Sequence, residues 1–411
     1  MEEILNLLNP WWFGKAVETG IERVSYLKKL EKSLMNKRAV LLVGSRRVGK
    51  TTMFHQFIKK LLKKTSSKHV LYALMDHPQL STRSILELVH EFRKMFATDR
   101  SAKLYIFLDE IQYVKDWERQ VKSLVDTENV KIFLSGSASS QLLLKSHYLT
   151  GRIEKIEADP LDFGEFLIFK KAKSKVTESY KAEKLFEEYL ALGGYPEYVL
   201  RPDPSYFADL VNNILYKDIV SMYQLRNPDL LKDLLLLLAD RSCHHATYTK
   251  LASVLSLKND TVKEYVYYLK NTLLVDELPR YSASRSHRIY GPKKFYVTDN
   301  GLLFHLLGRL SRSAAFERTL FQYLKRRAKG LGFYYENQQE VDFVSEESGK
   351  RVFWEAKYEL PRGYELELDR YLAAAKSLDA AKIIFVTKSF AKKAKINDIT
   401  VEWTPLWRLL V

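Results

Sequence analysis

Cysteine is almost absent from this sequence, because Cys243 is the only one among 411 residues. A single cysteine excludes an internal disulfide framework and a zinc site built from several thiolates, and it is typical of a reducing, cytoplasmic compartment. Long hydrophobic runs are also missing, since the longest aliphatic stretch, residues 234–239, is far shorter than the roughly 20 residues of a transmembrane helix. The first residues include acidic ones where a secretory signal carries basic ones. We therefore expect a cytoplasmic protein with no membrane partner.

Acidic residues are fewer than basic ones: the chain has 50 Asp and Glu and 66 Lys and Arg, which gives a net charge of +16. Such an excess suits a polyanionic partner such as nucleic acid, although it also describes a lysine-rich soluble surface. Charge alone supports only weak, salt-sensitive binding, with dissociation constants of roughly 10⁻⁴–10⁻⁶ M. The hydrophobic content of 46% is that of a folded chain, and the length predicts several domains.

A short apolar strand, a loop and an amphipathic helix occupy residues 39–64, AVLLVGSRRVGKTTMFHQFIKKLLKK. The loop reads Gly44-x-x-x-x-Gly49-Lys50-Thr51, which is the phosphate-binding pattern. Its glycines allow backbone N–H groups to surround phosphate oxygens, and the following helix adds the positive end of its dipole. Lys50 can reach the β- and γ-phosphates, and the Thr51 hydroxyl can bind Mg²⁺. The sequence therefore predicts a nucleoside triphosphate site.

Two further apolar runs end in polar side chains. The run LYIFLDEIQ at 104–112 contains Asp109, which would hold Mg²⁺ directly or through water, and Glu110, which would activate the attacking water as a general base. The run VKIFLSGSASS at 130–140 contains Ser137 and, as a weaker candidate, Ser135; either could orient the water or the γ-phosphate, or simply cap a helix. The residues predicted to contact the nucleotide are Gly44, Arg47, Gly49, Lys50, Thr51, Thr52 and Ser137.

Arg152 follows a glycine in the run LTGRIEKIEADPLDFGEFL at 149–167. It is a candidate arginine finger, which would stabilise charge as the γ-phosphate leaves and can be worth roughly 10³–10⁵ in rate. The alternative is a surface arginine without that role. A finger could act within its own subunit or on a neighbour, so a homo-oligomer stays open.

The runs GSRRVGKTT, FLDEIQ, FLSGSASS and GRIEKIEADPLDFGEFL, with NPWW near the start and LGGYPEYVL at 192–200, resemble those of the prokaryotic AAA-type ATPases common in archaea. The resemblance covers essentially the whole chain. It implies ATP rather than GTP as the nucleotide, and the absence of an Asn-Lys-x-Asp motif agrees with that. It also implies a helical lid after the nucleotide core.

Residues 247–281 contain two short helical patterns, separated at 257–260 and followed by the strand-like run TLLVDEL. This order is typical of a winged helix-turn-helix, with Asn259 or Asp260 predicted to cap the second helix. The run RYSASRSHRIYGPKKFY at 280–296 would be the wing, whose basic and aromatic residues suit DNA phosphate contacts and stacking. A winged helix used only for protein contact is the alternative.

After residue 301 the predicted order is helix, three strands, helix and strand, which resembles the restriction-endonuclease-like core. The metal motif of that core corresponds here to Asp342, Glu355 and Lys357, with a further acid, Glu317, on the first helix. The resemblance implies that the carboxylates hold Mg²⁺ and that Lys357 orients or deprotonates the attacking water. The alternative is a surface hairpin with a cross-strand charge pair, although opposed like charges cost about 0.2–1 kcal/mol without a counter-ion.

We therefore predict an α/β protein with four parts: a P-loop NTPase core with a parallel sheet between helices, a helical lid, a winged helix-turn-helix and a C-terminal α/β restriction-endonuclease-like domain. The predicted bounds are 1–160, 161–227, 228–300 and 301–411. The leading hypothesis is a Mg²⁺-dependent ATPase that couples its nucleotide state to a DNA-associated winged-helix and nuclease-like module. Two alternatives stay open: a non-catalytic DNA-binding regulator switched by ATP, and a signalling or defence ATPase that assembles through protein contacts.

Overall fold

The computed structural model describes residues 1–137, 142, 146–172, 178–225, 227–336, 338–360 and 364–411. They divide into two units, Met1–Asp159 and Pro160–Val411. The first unit has nearly the bounds predicted for the first domain, and the three later predicted domains lie within the second unit. Among the described residues, no helix is long and apolar enough to cross a membrane.

The first unit is built on one sheet of five parallel strands in the order β2-β3-β4-β1-β5. The strands are β1 Ala39–Gly44, β2 Val70–Leu74, β3 Leu104–Asp109, β4 Val130–Ser137 and β5 Ile153–Ala158. The helices are α1 Glu2–Leu8, α2 Val24–Ser33, α3 Lys50–Leu61, α4 Pro78–Ser81, α5 Ile85–Met95 and α6 Trp117–Thr127, with 3₁₀ turns at Pro10–Phe13, Ser67–His69, Ile111–Tyr113 and His147–Leu149. The central strands are buried almost throughout, as near-continuous apolar runs covered on both faces require.

Strand order decides which loops meet in this unit. Because all five strands are parallel, their carboxyl ends lie at one edge of the sheet, where ligands of open α/β sheets bind. Strand β4 separates β1 from β3, so the end of β4 lies between the phosphate loop and Asp109.

The second unit begins with helices. They are α7 Phe163–Phe169, α8 Ser179–Leu192, α9 Pro196–Leu200, α10 Tyr206–Asn212, a π-helical segment Asn213–Val220 and α11 Ser221–Tyr223. The LGGY run packs tightly, because a Cβ atom on Gly194 would lie 2.2 Å from the carbonyl oxygen of Leu161. The Gly194 N–H donates to the buried carboxylate of Asp299 at 2.7 Å, which ties this turn to the region after residue 297.

A region of four helices with a small antiparallel sheet follows. Its elements are α12 Pro228–Asp240, β6 His245–Ala246, α13 Tyr248–Val254, α14 Asn259–Asn271, β7 Val275–Pro279, α15 Arg285–Tyr290 and β8 Lys293–Val297, with sheet order β6-β8-β7. The buried residues of α14 are Val262, Tyr265, Val266, Tyr268 and Leu269. The predicted cap is wrong, because Lys258 is the N-cap and no side chain caps the helix.

The predicted wing also differs from the structure. It contains the short helix α15, and its two lysines, Lys293 and Lys294, belong to β8 and are buried. These two lysines therefore do not face solvent, and they are not available for the phosphate contacts predicted for the wing.

The rest of the second unit surrounds a six-stranded sheet in the order β13-β14-β12-β11-β10-β9. Its elements are α16 Asn300–Leu307, α17 Arg312–Arg327, β9 Lys329–Glu336, β10 Gln339–Glu347, β11 Lys350–Lys357, α18 Tyr364–Ser377, β12 Ala380–Thr387, β13 Lys392–Ile396, β14 Ile399–Pro405 and α19 Leu406–Leu409. Strands β9, β10 and β11 form an antiparallel meander, and β12 and β14 continue the sheet in parallel. Strand β13 was not predicted from the sequence.

The small sheet meets the large one near the middle of β9. The Tyr281 N–H donates to the Phe333 carbonyl at 2.7 Å. Gly332 permits this approach, because a Cβ atom there would lie 2.9 Å from the Tyr281 nitrogen. The junction places β8 beside the face of the large sheet that carries Asp342.

Candidate nucleotide site and C-terminal acidic centre

The predicted phosphate loop lies between β1 and α3. Gly49, with φ of +92°, takes a left-handed conformation as N-cap of α3, and Arg47 has φ of +63°. Alternating backbone conformations of this kind turn successive N–H groups toward one concave side, which binds anions. Gly44 has no room for a side chain, since its Cβ would lie 2.5 Å from the Ala158 carbonyl oxygen. Arg47, Thr51 and Thr52 are exposed at the mouth of the loop.

Lys50 lies inside the loop. It is 6% exposed, and its Nζ donates to the carbonyl oxygens of Gly44 and Ser45, each at 3.0 Å. The ammonium is thereby held against the backbone of the loop that, in this motif, surrounds the β- and γ-phosphates of a bound nucleotide.

Asp109 is fully buried at the end of β3, surrounded by hydroxyl groups. The Thr51 hydroxyl donates to Asp109 Oδ2 at 2.5 Å, and the Tyr72 hydroxyl donates to the same atom at 2.9 Å. The Ser135 hydroxyl donates to Oδ1. A hydroxyl and a carboxylate side by side beneath a phosphate loop fit Mg²⁺, which is usually held by one or two carboxylates plus substrate phosphates.

Glu110 has a left-handed backbone, with φ of +54°. Its Oε2 accepts from Ser137 N at 3.3 Å, from the Ser137 hydroxyl at 3.4 Å and from the Gln112 amide. Burial alone would raise the pKa of Glu110, but the charge of Lys50, the Gln112 hydrogen bond and the charge of Arg46 outweigh burial and lower that pKa. Glu110 is therefore an ionised carboxylate at neutral pH.

Three residues near these carboxylates were not predicted from the sequence: Tyr72, Gln112 and Asp76. Burial, followed by the charges of Glu110 and Asp109, raises the pKa of Asp76. The signal for Asp76 is its position two residues after β2, whose last residue, Leu74, pairs with Asp109. Tyr72 carried no such signal, because its contact with Asp109 depends on the pairing of two strands that are distant in the sequence. Gln112 lies only two residues from Glu110, which its amide contacts, but no motif singles it out.

Arg152 is not at this site, which corrects its prediction as a finger acting within its own subunit. It precedes β5, and its carbonyl accepts from Ala39 N at the beginning of β1. The phosphate loop follows the other end of β1, roughly 20 Å away for a strand of this length. The Arg152 guanidinium instead pairs with Asp126, with Nε and Oδ1 2.7 Å apart. Action across a subunit interface stays a prediction.

The predicted residues of the C-terminal site do come together. Asp342 on β10 and Glu355 on β11 are neighbours: Asp342 N donates to Glu355 Oε2 at 3.2 Å, and Ala356 N donates to Asp342 Oδ2 at 3.0 Å. Glu355 Oε1 lies 3.2 Å from the Nζ of Lys357 and accepts from the Tyr371 hydroxyl at 2.7 Å. Tyr371 was not predicted to take part.

A lysine that was not predicted lies in the middle of this acidic centre. Lys294 of β8 has no exposed surface, and its Nζ lies 3.1 Å from Glu317 Oε1, 2.7 Å from Glu340 Oε1 and 2.9 Å from Asp342 Oδ1. The Tyr296 hydroxyl donates to the same oxygen of Glu317 at 2.9 Å. The residues of this C-terminal acidic centre are Lys294, Glu317, Glu340, Asp342, Glu355 and Lys357.

Charge in the C-terminal acidic centre is balanced by protein groups. Burial would lower the pKa of Lys294, but the neighbouring carboxylates raise it well above its usual value, so the side chain is an ammonium. Burial, followed by the charge of Asp342, raises the pKa of Glu317 and that of Glu355. These two carboxyl groups therefore hold protons more readily than ordinary glutamates, which reduces the negative charge that must be balanced.

The residues present do not fit the predicted metal. Lys294 Nζ occupies the position among Glu317, Glu340 and Asp342 where Mg²⁺ would bind. Across the described ranges, no cluster of three or more His, Cys, Asp or Glu is arranged to hold a metal ion. The metal role predicted for Glu317, Asp342 and Glu355 is thus corrected: their partner is an ammonium.

Comparison with known proteins bears mainly on the first unit. A family model described as an AAA domain matches residues 36–167, and a model described as a domain of unknown function matches residues 183–313. The first match encloses every residue predicted to contact the nucleotide. Together with the parallel sheet and the phosphate loop, it defines the first unit as an AAA-type P-loop domain of the α/β class.

The chain is also similar over most of its length to curated proteins. An uncharacterized protein of Haemophilus influenzae is 26% identical over 405 residues, which cover 95% of this chain and 98% of that protein. An uncharacterized protein of Methanocaldococcus jannaschii is 28% identical over 407 residues, which cover 93% of this chain and 90% of that protein.

Two solved structures show a distant likeness. The Aeropyrum pernix ORC1 protein in complex with DNA has a TM-score of 0.34 and 13% identity, and the match covers 76% of this chain and 95% of that one. AMPPCP-bound DnaA from Aquifex aeolicus has a TM-score of 0.31 and 15% identity, with 62% and 89% covered. At these scores the likeness carries no functional conclusion for this chain.

Proposed function

We propose that the protein is a Mg²⁺-dependent ATPase whose nucleotide state acts on a DNA-associated module in its second unit. The observation that carries the ATPase proposal is the contact between the Thr51 hydroxyl and the buried Asp109 carboxylate, 2.5 Å apart directly below the phosphate loop. This pair is what a nucleotide-bound Mg²⁺ needs from the protein, since phosphate oxygens and water supply its other ligands.

The remaining groups of the site have roles that follow from their positions. Lys50 would neutralise charge on the β- and γ-phosphates, and the N–H groups of the loop would hold the phosphate oxygens. Glu110 is ionised and hydrogen-bonded to Ser137, so it can orient a water molecule for attack on the γ-phosphorus. Because its pKa is lowered, Glu110 is a weak base, and we propose that it polarises this water rather than deprotonating it before attack.

Steady-state hydrolysis of ATP and GTP, with Mg²⁺ or with EDTA, tests this proposal. We expect hydrolysis of ATP that requires Mg²⁺, and we expect Thr51→Ala to raise the Mg²⁺ concentration needed for half-maximal rate. Thr127→Ala is the matched control, since Thr127 is an exposed threonine of α6. Hydrolysis that persists in EDTA, or that Thr51→Ala leaves unaltered, would contradict the assignment.

The proposed DNA contact is supported by the region from α12 to β8, whose order of helices and strands is that of a winged helix-turn-helix. Helix α14 would be the recognition helix, and it exposes polar side chains opposite its buried apolar face. Every residue of α15 is exposed, including two arginines and a histidine, and Tyr290 is 81% exposed. A basic and aromatic surface of this kind suits phosphate contact with some stacking.

A gel-shift titration over a salt series tests the DNA contact. The variant Arg285→Ala/Arg288→Ala should weaken binding and reduce the slope of log K against log salt by about 0.9 for each phosphate that the variant no longer neutralises. Lys393→Ala/Lys395→Ala removes two exposed cations from the edge strand β13 and should leave the slope unchanged. If the wild type shows no salt-dependent DNA complex, the role through protein contacts alone becomes the better proposal.

The region from α17 to β12 supports the restriction-endonuclease-like assignment. A helix, an antiparallel meander of three strands, a helix and a fourth strand parallel to the third follow in the predicted order. Asp342 lies on the second strand of the meander and Glu355 and Lys357 on the third. We propose that this domain has the nuclease-like fold; fold alone does not establish cleavage.

A further inference from the structure

Lys294 reaches the C-terminal acidic centre from a different sheet. It belongs to β8, which is paired on both sides by β6 and β7, and β7 leads directly to the junction with β9. Both the strand that carries the lysine and the strand that carries Asp342 are thus held by backbone hydrogen bonds. The position of the Lys294 ammonium is therefore fixed by the paired strands of the second unit.

The contacts of Lys294 match those of a bound cation. An ammonium group has three N–H donors and no acceptor, and three carboxylate oxygens surround this one within 3.1 Å. The rings of Phe333 and Phe343 cover it, with centroids 5.8 and 6.0 Å from Nζ. A second, divalent cation among the same oxygens would lie next to a desolvated positive charge, and this repulsion is only weakly screened in the interior.

We infer that Lys294 is a built-in cation that takes the place of a divalent metal in the C-terminal acidic centre, so that this nuclease-like domain does not cut DNA in its folded state. A metal ion can dissociate or be exchanged, but a lysine on a paired strand stays with the chain. The inference gives the acidic centre a role in holding the small sheet against the large one. The inference rests on the proposed nuclease-like fold of this domain, but it does not depend on ATP hydrolysis.

The inference can be tested by measuring Mn²⁺ binding to the full-length protein without nucleotide. Binding is detected as a decrease of the free Mn²⁺ signal in electron paramagnetic resonance. Mn²⁺ binding that is lost in the Asp342→Asn variant is assigned to the C-terminal acidic centre. We expect none in the wild type and a clear gain in Lys294→Met. Lys293→Met is the matched control, because Lys293 is a buried lysine on the same strand whose Nζ donates to the Arg288 carbonyl. That control should gain no Mn²⁺.

Lys294→Met leaves buried carboxylates without their cation, and this variant can fail to fold. A second variant is therefore designed to reduce the uncompensated negative charge. Lys294→Met/Glu317→Gln removes one positive and one ionisable acidic group together and leaves Glu340, Asp342 and Glu355 as ligands. It should melt at a higher temperature when Mn²⁺ is added, whereas the wild type should not. If neither variant folds, the wild-type measurement still decides, because Mn²⁺ binding that Asp342→Asn abolishes would overturn the inference.

Plasmid cleavage gives a second readout that does not depend on the ATPase. With Mg²⁺ or Mn²⁺, with and without ATP, the wild type and Lys357→Ala should leave supercoiled plasmid equally intact. Cleavage by the wild type that disappears in both Lys357→Ala and Lys294→Met would show that Lys294 serves catalysis, and the inference would then be wrong. ATP hydrolysis measured on the same preparation shows separately whether the proposed ATPase function holds.

Discussion

The nucleotide site and the C-terminal acidic centre both bring buried carboxylates close to a buried lysine, but Lys50 and Lys294 make different contacts. In the first unit, Lys50 donates to backbone carbonyls of its own loop, while Asp109 is surrounded by hydroxyl groups. In the second unit, Lys294 donates directly to carboxylates, and Asp342 is paired with that ammonium. In the first centre the carboxylate is bound by neutral hydroxyl groups, whereas in the second centre the carboxylates already contact a cation.

The difference shows that a motif of acids and lysines does not by itself define a metal site. Asp342, Glu355 and Lys357 match the spacing of a nuclease motif, and they do lie together. What removes the space for a metal is a residue outside the motif, supplied by another sheet. The two centres can therefore be distinguished by experiment, because only the first should depend on Mg²⁺.

The largest effect is expected at the first centre. Lys50→Ala should abolish detectable ATP binding and hydrolysis, because the loop loses the charge that neutralises the β- and γ-phosphates. Fluorescent ATP-analogue binding and phosphate release measure this. Lys63→Ala, an exposed lysine in the turn after α3, is the control. Normal ATP binding in Lys50→Ala would remove the basis for the nucleotide-site assignment.

Glu110→Gln should separate binding from chemistry at the same centre. We expect ATP affinity to be kept and kcat to fall by roughly 10²–10⁴, because the amide cannot act as the carboxylate that polarises water. Binding and single-turnover hydrolysis, measured on one preparation, give both quantities. Equal decreases of affinity and rate would mean that Glu110 holds the nucleotide rather than the water.

At the second centre the expected effect is on stability. Lys294→Met should lower the free energy of unfolding by about 3–5 kcal/mol, because removing one partner of a buried ion cluster leaves uncompensated charge. Lys293→Met removes a single hydrogen bond to a carbonyl and should cost about 0.5–1.5 kcal/mol. Urea denaturation of both variants measures the difference. Equal costs would show that Lys294 is only a packed lysine.

Arg152→Ala should have the smallest effect. The residue lies at the opposite edge of the sheet from the phosphate loop and pairs with Asp126 on the surface, so hydrolysis by dilute protein should hardly change. The rate per chain, measured over a range of protein concentrations, tests the remaining prediction. A rate that rises with concentration in the wild type but not in Arg152→Ala would indicate a finger acting across a subunit interface.

Much of the fold could be predicted from the sequence, since local pattern determines it. The buried runs that became β1, β3 and β4, the Gly49–Lys50 helix start and the apolar face of α14 all depend on residues near one another in the chain. Strand β13 was missed, because its alternating lysines form an exposed edge strand with little hydrophobic signal. The helix α15 was missed within a run that favoured an extended wing.

The sequence by itself determined the phosphate loop, Asp109 and Glu110, because one strand, one turn and one helix start supply those groups in order. It also brought Asp342 and Glu355 together, because consecutive antiparallel strands set their register. Only the tertiary structure decided what each centre holds. In the folded structure Arg152 lies at the end of the parallel sheet opposite the phosphate loop, and Lys294 on β8 lies within the acidic centre. Such placements depend on how separate sheets pack, which spacing along the chain does not encode.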